Sequence, residues 1–162
     1  MTRSRALSHG LSVLASSIET LPDVGIADEL PPLVKPGSYD LAFIDYKTAL
    51  MFAGRAAKLI MRFRIITFGE HFETELYRYY NVARIIGRPA RNGKFKCSAK
   101  GDFLREFATL FTGRITRLDR IPMSAFENVI IEGKVSTVTH SRGKAIPELL
   151  QYSVISELRK VK

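Results

Sequence analysis

The chain has 162 residues, 46% of them hydrophobic, a net charge of +9 and a single cysteine, Cys97. This length and composition fit one globular domain with a tail, and they exclude a disordered chain. One cysteine excludes an intrachain disulfide, and no apolar run approaches the ~18 residues of a membrane-spanning helix. We therefore expect no membrane partner and a reducing compartment, the bacterial or host cytoplasm.

Residues 1–30 are predicted to form an N-terminal extension made of a weak helix and a linker. Leu7 and Leu11 recur at helical spacing, and an acidic, proline-containing stretch follows. An organelle transit peptide is the alternative interpretation, because no acidic residue precedes Glu19. The boundary falls at the prolines, so the predicted domain covers residues 31–162.

Five strands and one helix are predicted in this domain. Alternation of apolar and polar residues indicates the strands, and Gly69 indicates the turn of a hairpin between the second and the third. The helix has an apolar stripe that includes Phe103 and Phe107, with Asp102 as N-cap and Gly113 as the left-handed C-terminal residue. In chain order the predictions are strands 38–46, 58–67 and 72–81, helix 102–112, and strands 126–140 and 149–161, with loops at 47–57 and 81–99.

The predicted fold class is mainly β, a five-stranded OB-fold-like barrel with one helix between the third and fourth strands. Gly133 in the middle of a strand predicts a bulge or a bend. Residues on the apolar side of each element form the predicted core: Phe63, Leu76, Phe107, Val129, Ile131 and Val154.

One polar face of the predicted hairpin carries the candidate binding site. Arg62 and Arg64 share a face with Tyr77 and Tyr79, and cations beside flat rings suit the phosphates and bases of a single-stranded nucleic acid. Residues 54–100 hold eleven Lys or Arg and three acidic residues, a net of +8, and such a field attracts polyanions. The predicted binding residues are Arg55, Arg62, Arg64, Tyr77, Arg78, Tyr79, Arg88, Arg91, Lys94, Lys96, Arg142 and Lys144.

Catalytic and metal-binding patterns are missing from the sequence. No phosphate-binding loop, dinucleotide fingerprint or nucleophile elbow is present, and the three histidines are scattered. The densest acidic cluster, Glu70, Glu73 and Glu75, is explained by a solvated hairpin end. We therefore predict no enzyme activity, no metal and no cofactor.

Four segments of the chain resemble a known family. They are Pro36-Gly37-Ser38-Tyr39, the strand 59–65, Glu132-Gly133-Lys134-Val135 and Tyr152-Ser153-Val154-Ile155. In this pattern of strands and turns, residues 36–160 look like the OB-fold single-stranded DNA-binding proteins of phages and mobile elements. The resemblance implies a protein that coats or protects single-stranded DNA in replication or recombination. The chain departs from the housekeeping bacterial members because it has no Trp and no acidic tail.

Three functions stay open on the sequence. The first is a non-catalytic single-stranded DNA-binding protein, which the basic, Tyr-bearing face favours. The second is an RNA-binding OB protein, and the third is a phage or plasmid structural or protein-interaction module with a basic surface. Tyr and Arg are also common on the solvent side of ordinary strands, so the face could equally be a plain solvent-exposed surface. A homo-oligomer is a further possibility.

Overall fold

The computed structural model describes residues 32–112 and 115–162, which form a mainly β structure. One helix, α1, spans Asp102–Leu110, and short 3-10 helices span Met123–Phe126 and Glu148–Leu150. The strands are β1 (Gly37–Met51), β2 (Ala56–Ile65), β3 (Glu75–Asn81), β4 (Arg84–Ile86), β5 (Lys94–Lys96), β6 (Ile130–Val138), β7 (His140–Ser141), β8 (Lys144–Ala145) and β9 (Tyr152–Val161).

Five of these strands form one antiparallel sheet in the order β3-β2-β1-β6-β9. The chain runs through β1, β2 and β3 as successive hairpins, passes through α1, and returns with β6 beside the first half of β1. The predicted order of three strands, one helix and two strands is thus confirmed for the sheet. The remaining strands form two small ribbons, β4–β5 and β7–β8.

A closed barrel, which the sequence predicted, is not found. The edge strands β3 and β9 lie in contact, but no hydrogen-bonded ladder joins them in the described residues. The buried carboxylate of Glu106 in α1 connects them instead. It accepts hydrogen bonds from the Tyr80 hydroxyl in β3 (3.1 Å) and from the backbone N–H of Leu158 in β9 (2.6 Å).

The inner side of the sheet forms the core together with α1. Alternation along β2 buries Leu59, Met61, Phe63 and Ile65, as predicted. From the helix, Phe103, Phe107 and Leu110 pack against them, and Phe126 of the first 3-10 helix joins the aromatic cluster. Burying a side chain of this size contributes roughly 1.5–3 kcal/mol, so this cluster supplies much of the stability.

Two of the predicted core residues are less buried than expected. Val129 is half-buried at the margin of the main core. Val154 packs in a separate cluster with Ile146 and Tyr152, on the other side of β9. The other four predicted core residues are buried: Phe63, Leu76, Phe107 and Ile131. The bulge predicted at Gly133 is confirmed by a shift in the β6–β9 register between Glu132 and Gly133.

Several predicted boundaries were wrong. Residues 47–57 are not a loop, because β1 continues to Met51 after a bulge at Ile44 and only residues 52–55 form the turn. The predicted loop 81–99 contains the ribbon β4–β5. The helix begins with Asp102, but Gly101 is its N-cap, and it ends because Phe111 has an extended backbone. Gly113 lies outside the described residues.

The predicted N-terminal extension, residues 1–30, also lies outside the described residues. The described chain enters beside β9, where the backbone N–H of Val34 donates to the Ser153 hydroxyl (2.7 Å). Within residues 32–112 and 115–162, no helix is long and apolar enough to span a bilayer.

Candidate nucleic-acid interface

The outer face of β1, β2 and β3 carries side chains in cross-strand rows. Arg62 lies between Asp45 of β1 and Tyr77 of β3, and Arg64 lies opposite Glu75 in the next row. On the other side of Arg62, Ile60 lies opposite Tyr79 and Lys47. The register therefore places Arg62, Arg64, Tyr77 and Tyr79 on one face, which is the face that the sequence predicted.

A cleft of about 480 Å³ opens on this face, and we call it the outer groove. Ile60 is buried there although it lies on the outer side of β2, so it gives the groove an apolar floor. Polar and aromatic side chains surround that floor. The outer face contributes Asp45, Lys47, Ile60, Arg62, Tyr77 and Arg91 to the lining.

Arg91 reaches the groove because the segment after β4 extends the sheet. β6 pairs only with the first half of β1, and the free edge of the second half pairs with residues 90–92. Thr48 N–H donates to the Ala90 carbonyl (3.0 Å), and Asn92 N–H donates to the Tyr46 carbonyl (3.0 Å). Gly93 permits this approach, since a Cβ there would overlap Oγ1 of Thr48.

The cations at the centre of the outer face are paired with carboxylates. Arg62 donates to Asp45 from Nε (3.0 Å) and Nη2 (2.7 Å), and its Nη1 lies 3.4 Å from Glu75. Arg91 also contacts Asp45 (3.1 Å), and Arg64 lies 3.9 Å from Glu75. The hydrogen bond to Asp45 raises the pKa of Arg62 further. Three arginines thus share two carboxylates, which offset most of the positive charge of these arginines.

The two tyrosines of this face differ in exposure to a ligand. Both are half-buried, with ring centroids 6.1 Å apart. Burial raises the pKa of Tyr77, and the charge of Arg62 opposes that rise, so its hydroxyl is neutral at physiological pH. Burial raises the pKa of Tyr79 far more, with a further contribution from nearby Tyr152. Tyr77 lines the groove, and Tyr79 lies outside the groove lining.

The ribbon β4–β5 carries cations without acidic partners. Arg84 lies directly opposite Lys96, a like-charge pair that costs stability unless an anion lies nearby. Lys94 is on the same side of β5 as Lys96, away from buried Phe95. Arg88 is exposed in the turn that follows β4. Within residues 32–112 and 115–162, the side chains of Arg84, Arg88, Lys94 and Lys96 form no ion pair.

Two turns that carry predicted binding residues lie in contact. Arg142, in the turn between β7 and β8, lies with Cζ 5.9 Å from the ring centroid of Phe52 in the β1–β2 turn. Arg55 and Lys144 are exposed in these same turns. Segments ninety residues apart in sequence therefore meet beside the sheet.

Arg78 is not on the outer face, and we remove it from the interface. Its side chain is on the inner side of β3, 11% exposed, and paired with Glu106 at 2.5 Å. Its guanidinium also lies 4.2 Å from the ring centroid of Tyr80. Burial disfavours its charge, but the bonds to Glu106 and the nearby Tyr80 outweigh burial and raise its pKa. Arg78 therefore stabilises the fold.

Asp45 and Tyr46 are site residues that the sequence reasoning missed. The bulge at Ile44 shifts the alternation of β1, so that Asp45 lies opposite Arg62 instead of facing the core. Two carboxylates near the predicted cations, Asp45 and Glu75, determine the charge of the face together with the cations. The sequence did contain a signal for Asp45, because this acidic residue lies within the strand that precedes an arginine-rich hairpin.

Other titratable groups of the described residues lie outside this face. No group of three or more His, Cys, Asp or Glu side chains there could hold a metal ion. Cys97 is buried, and burial raises the pKa of its thiol to about 12, which keeps it protonated. No protein-family model, no curated protein and no solved structure matches this chain.

Proposed function

We propose that this chain is a non-catalytic single-stranded DNA-binding protein that coats or protects the strand during replication or recombination. The strand lies across the outer groove, with bases against the sheet and phosphates towards the ribbon β4–β5 and the flanking turns. The observation that carries this proposal is a groove holding a flat ring and hydrogen-bonding side chains, bordered by residues 89–91 of the loop that joins the cationic strands β4 and β5.

The distribution of charge supports bases in the groove. Asp45 and Glu75 repel phosphates from its centre, while Tyr77 offers a ring face and the Arg62–Asp45 pair offers hydrogen-bonding edges. Stacking on an aromatic ring contributes about 1–3 kcal/mol per base and tolerates any sequence. A binding protein that coats DNA of any sequence needs this property.

The cations outside the groove suit the phosphates. Arg84, Arg88, Lys94 and Lys96 form no ion pair in the described residues, so no protein contact has to be broken before they bind an anion. Each phosphate that they neutralise releases counterions, with a slope of log affinity on log salt of roughly −0.7 per contact. These four cations therefore carry part of the net charge of +8 in residues 54–100.

The fold that we propose is an OB fold. Its support is the sheet order β3-β2-β1-β6-β9, the helix between β3 and β6, and the contact of β3 with β9 through Glu106. OB folds bind oligonucleotides on the second and third strands between the turns that join strands one to two and four to five. Here the outer groove and the Phe52–Arg142 contact occupy those positions.

A fluorescence titration with labelled oligo-dT tests the function. We expect binding that weakens with salt and survives an excess of duplex DNA, because only unpaired bases can stack in the groove. The double variant Arg88→Ala/Lys96→Ala should weaken binding and flatten the salt slope by roughly 1.4. Arg105→Ala is the matched control, since Arg105 is an exposed cation on α1, which packs on the inner side of the sheet.

Two outcomes of this titration would overturn the proposal. Preference for an RNA of equal length over DNA would make the chain an RNA-binding protein. Failure to bind any nucleic acid at low salt would instead favour a structural or protein-interaction module.

A further inference from the structure

A second groove of about 520 Å³ lies between the ribbon β4–β5 and the segment 117–123. Its floor is apolar and partly aromatic, with Tyr46 and Phe95 in edge-to-face contact at 6.4 Å. Its rim is cationic: Lys94 lies on the ribbon side, and Arg117 and Arg120 lie on the other side.

The rim keeps most of its charge available. Arg117 is held by Asp119 through two hydrogen bonds of 2.9 and 2.7 Å, so this pair is neutral as a unit. Lys94 and Arg120 are exposed and form no ion pair within residues 32–112 and 115–162. Two cations that form no ion pair in the described residues therefore border the apolar floor of the second groove. The outer groove likewise has an apolar floor with cationic side chains in its lining.

The segment 117–123 is held in place by its backbone. Cys97 N–H, next to β5, donates to the Leu118 carbonyl at 2.8 Å, and Arg120 N–H closes a turn onto the Arg117 carbonyl. Pro122 and the buried Met123 then lead into the 3-10 helix beneath the groove. The second groove is thus formed by fixed backbone rather than by side chains alone.

The two grooves are connected around the edge of β1. A third cleft of about 370 Å³ shares Asp45, Tyr46 and Arg91 with the outer groove. The same cleft shares Tyr46 and Met123 with the second groove. A flexible single strand can follow this path, whereas a rigid duplex cannot bend around one strand edge.

We propose that the second groove is an additional single-stranded DNA site, which binds the continuation of the strand that occupies the outer groove. The proposal rests on the function proposed above and deepens it. Lys94 and Arg120 contact phosphates, and the floor formed by Tyr46 and Phe95 receives a base. The protein then occludes a longer stretch of DNA than the outer groove alone accommodates.

Glu127 sets the orientation of the strand in the connecting cleft. It is exposed there and forms no ion pair in the described part of the chain. Its carboxylate repels phosphates, so the backbone should pass on the Arg91 side. Glu127→Gln should therefore strengthen binding of a long oligonucleotide about two- to threefold and leave a short one unchanged.

The test compares oligo-dT of about 4 and about 16 nucleotides, the range of site sizes that a single OB fold covers. Arg120→Ala should weaken binding of the long oligonucleotide about three- to fivefold at low salt, flatten its salt slope by about 0.7, and leave the short one unchanged. The control is Arg105→Ala. The Arg120 side chain is exposed, and circular dichroism checks that the variant is folded.

Photocrosslinking with an oligo-dU that contains 5-iodouracil gives a second measurement on the native chain. We expect crosslinked peptides from the outer groove, around Tyr77, and from the segment 117–123. Crosslinks near Tyr77 alone, with unchanged binding of the long oligonucleotide by Arg120→Ala, would overturn the second site and leave the proposed function standing. A chain that binds no single strand would overturn both.

Discussion

Two groups, each made of an arginine, a carboxylate and a tyrosine, lie on opposite sides of the sheet. On the inner side, Arg78, Glu106 and Tyr80 form a buried group, with side chains of the ion pair 11% and 5% exposed. On the outer side, Arg62, Asp45 and Tyr77 form a similar group, with the ion pair 31% and 19% exposed. Residue types therefore do not separate a structural site from a binding site; burial and the saturation of hydrogen bonds do.

The inner group is saturated by the protein itself. The Glu106 carboxylate accepts bonds from Arg78, Tyr80 and the Leu158 backbone, and Arg78 donates further to the Tyr79 carbonyl (3.1 Å). The outer group borders a cleft, and its ring face is open to a ligand. The first group holds two edge strands together, and under the proposed function the second contacts the bound strand.

The largest expected effect comes from breaking the inner group. Glu106→Ala leaves the Arg78 charge buried without a partner, so the free energy of unfolding should fall by about 3–5 kcal/mol in urea denaturation. Asp45→Ala breaks the corresponding outer pair and should cost no more than about 1 kcal/mol, because water solvates Arg62. Equal losses in the two variants would contradict the distinction between the two groups.

A smaller effect is expected from the outer tyrosine. Tyr77→Ala removes a stacking surface, so oligo-dT binding should weaken by about 1–3 kcal/mol while the salt slope stays nearly constant. Tyr77→Phe keeps the ring and serves as the control, with affinity close to that of the wild type. Wild-type binding by Tyr77→Ala would show that the bases stack elsewhere.

The smallest effect tests the carboxylate that the sequence reasoning overlooked. Asp45→Asn frees Arg62 and Arg91, so oligo-dT should bind a few-fold more tightly at low salt, with a slope steeper by up to about 1.4. The difference should vanish at high salt, where charges are screened. Weaker binding by this variant would show that Asp45 contacts the DNA instead of restraining the cations.

Local patterns predicted much of the fold. Alternation from Met61 to Ile65 indicated the inner side of β2. The same period put Arg78 on the side of Leu76 and Tyr80, so its burial could have been predicted. Glu106 lies within the apolar stripe of Phe103, Phe107 and Leu110, so its burial could also have been predicted from the sequence. A charged residue on an apolar stripe predicts a partner on another apolar stripe.

Other features depend on pairing between distant segments and left little local signal. Strands β4 and β5 have three residues each, too few for a period to be recognised. The bulge at Ile44, which turns Asp45 outward, depends on the register against β2. The outer groove exists because residues 90–92 pair with the free edge of β1, a contact separated by more than forty residues.

Amide chemical-shift mapping on the isotope-labelled chain with oligo-dT tests the central claim most directly. We predict that the largest shifts fall on residues 45–49, 60–62 and 77 and on the ribbon β4–β5, with the amides of α1 nearly unchanged. Shifts concentrated on α1, or none at a saturating concentration of oligo-dT, would contradict binding on the outer face of the sheet.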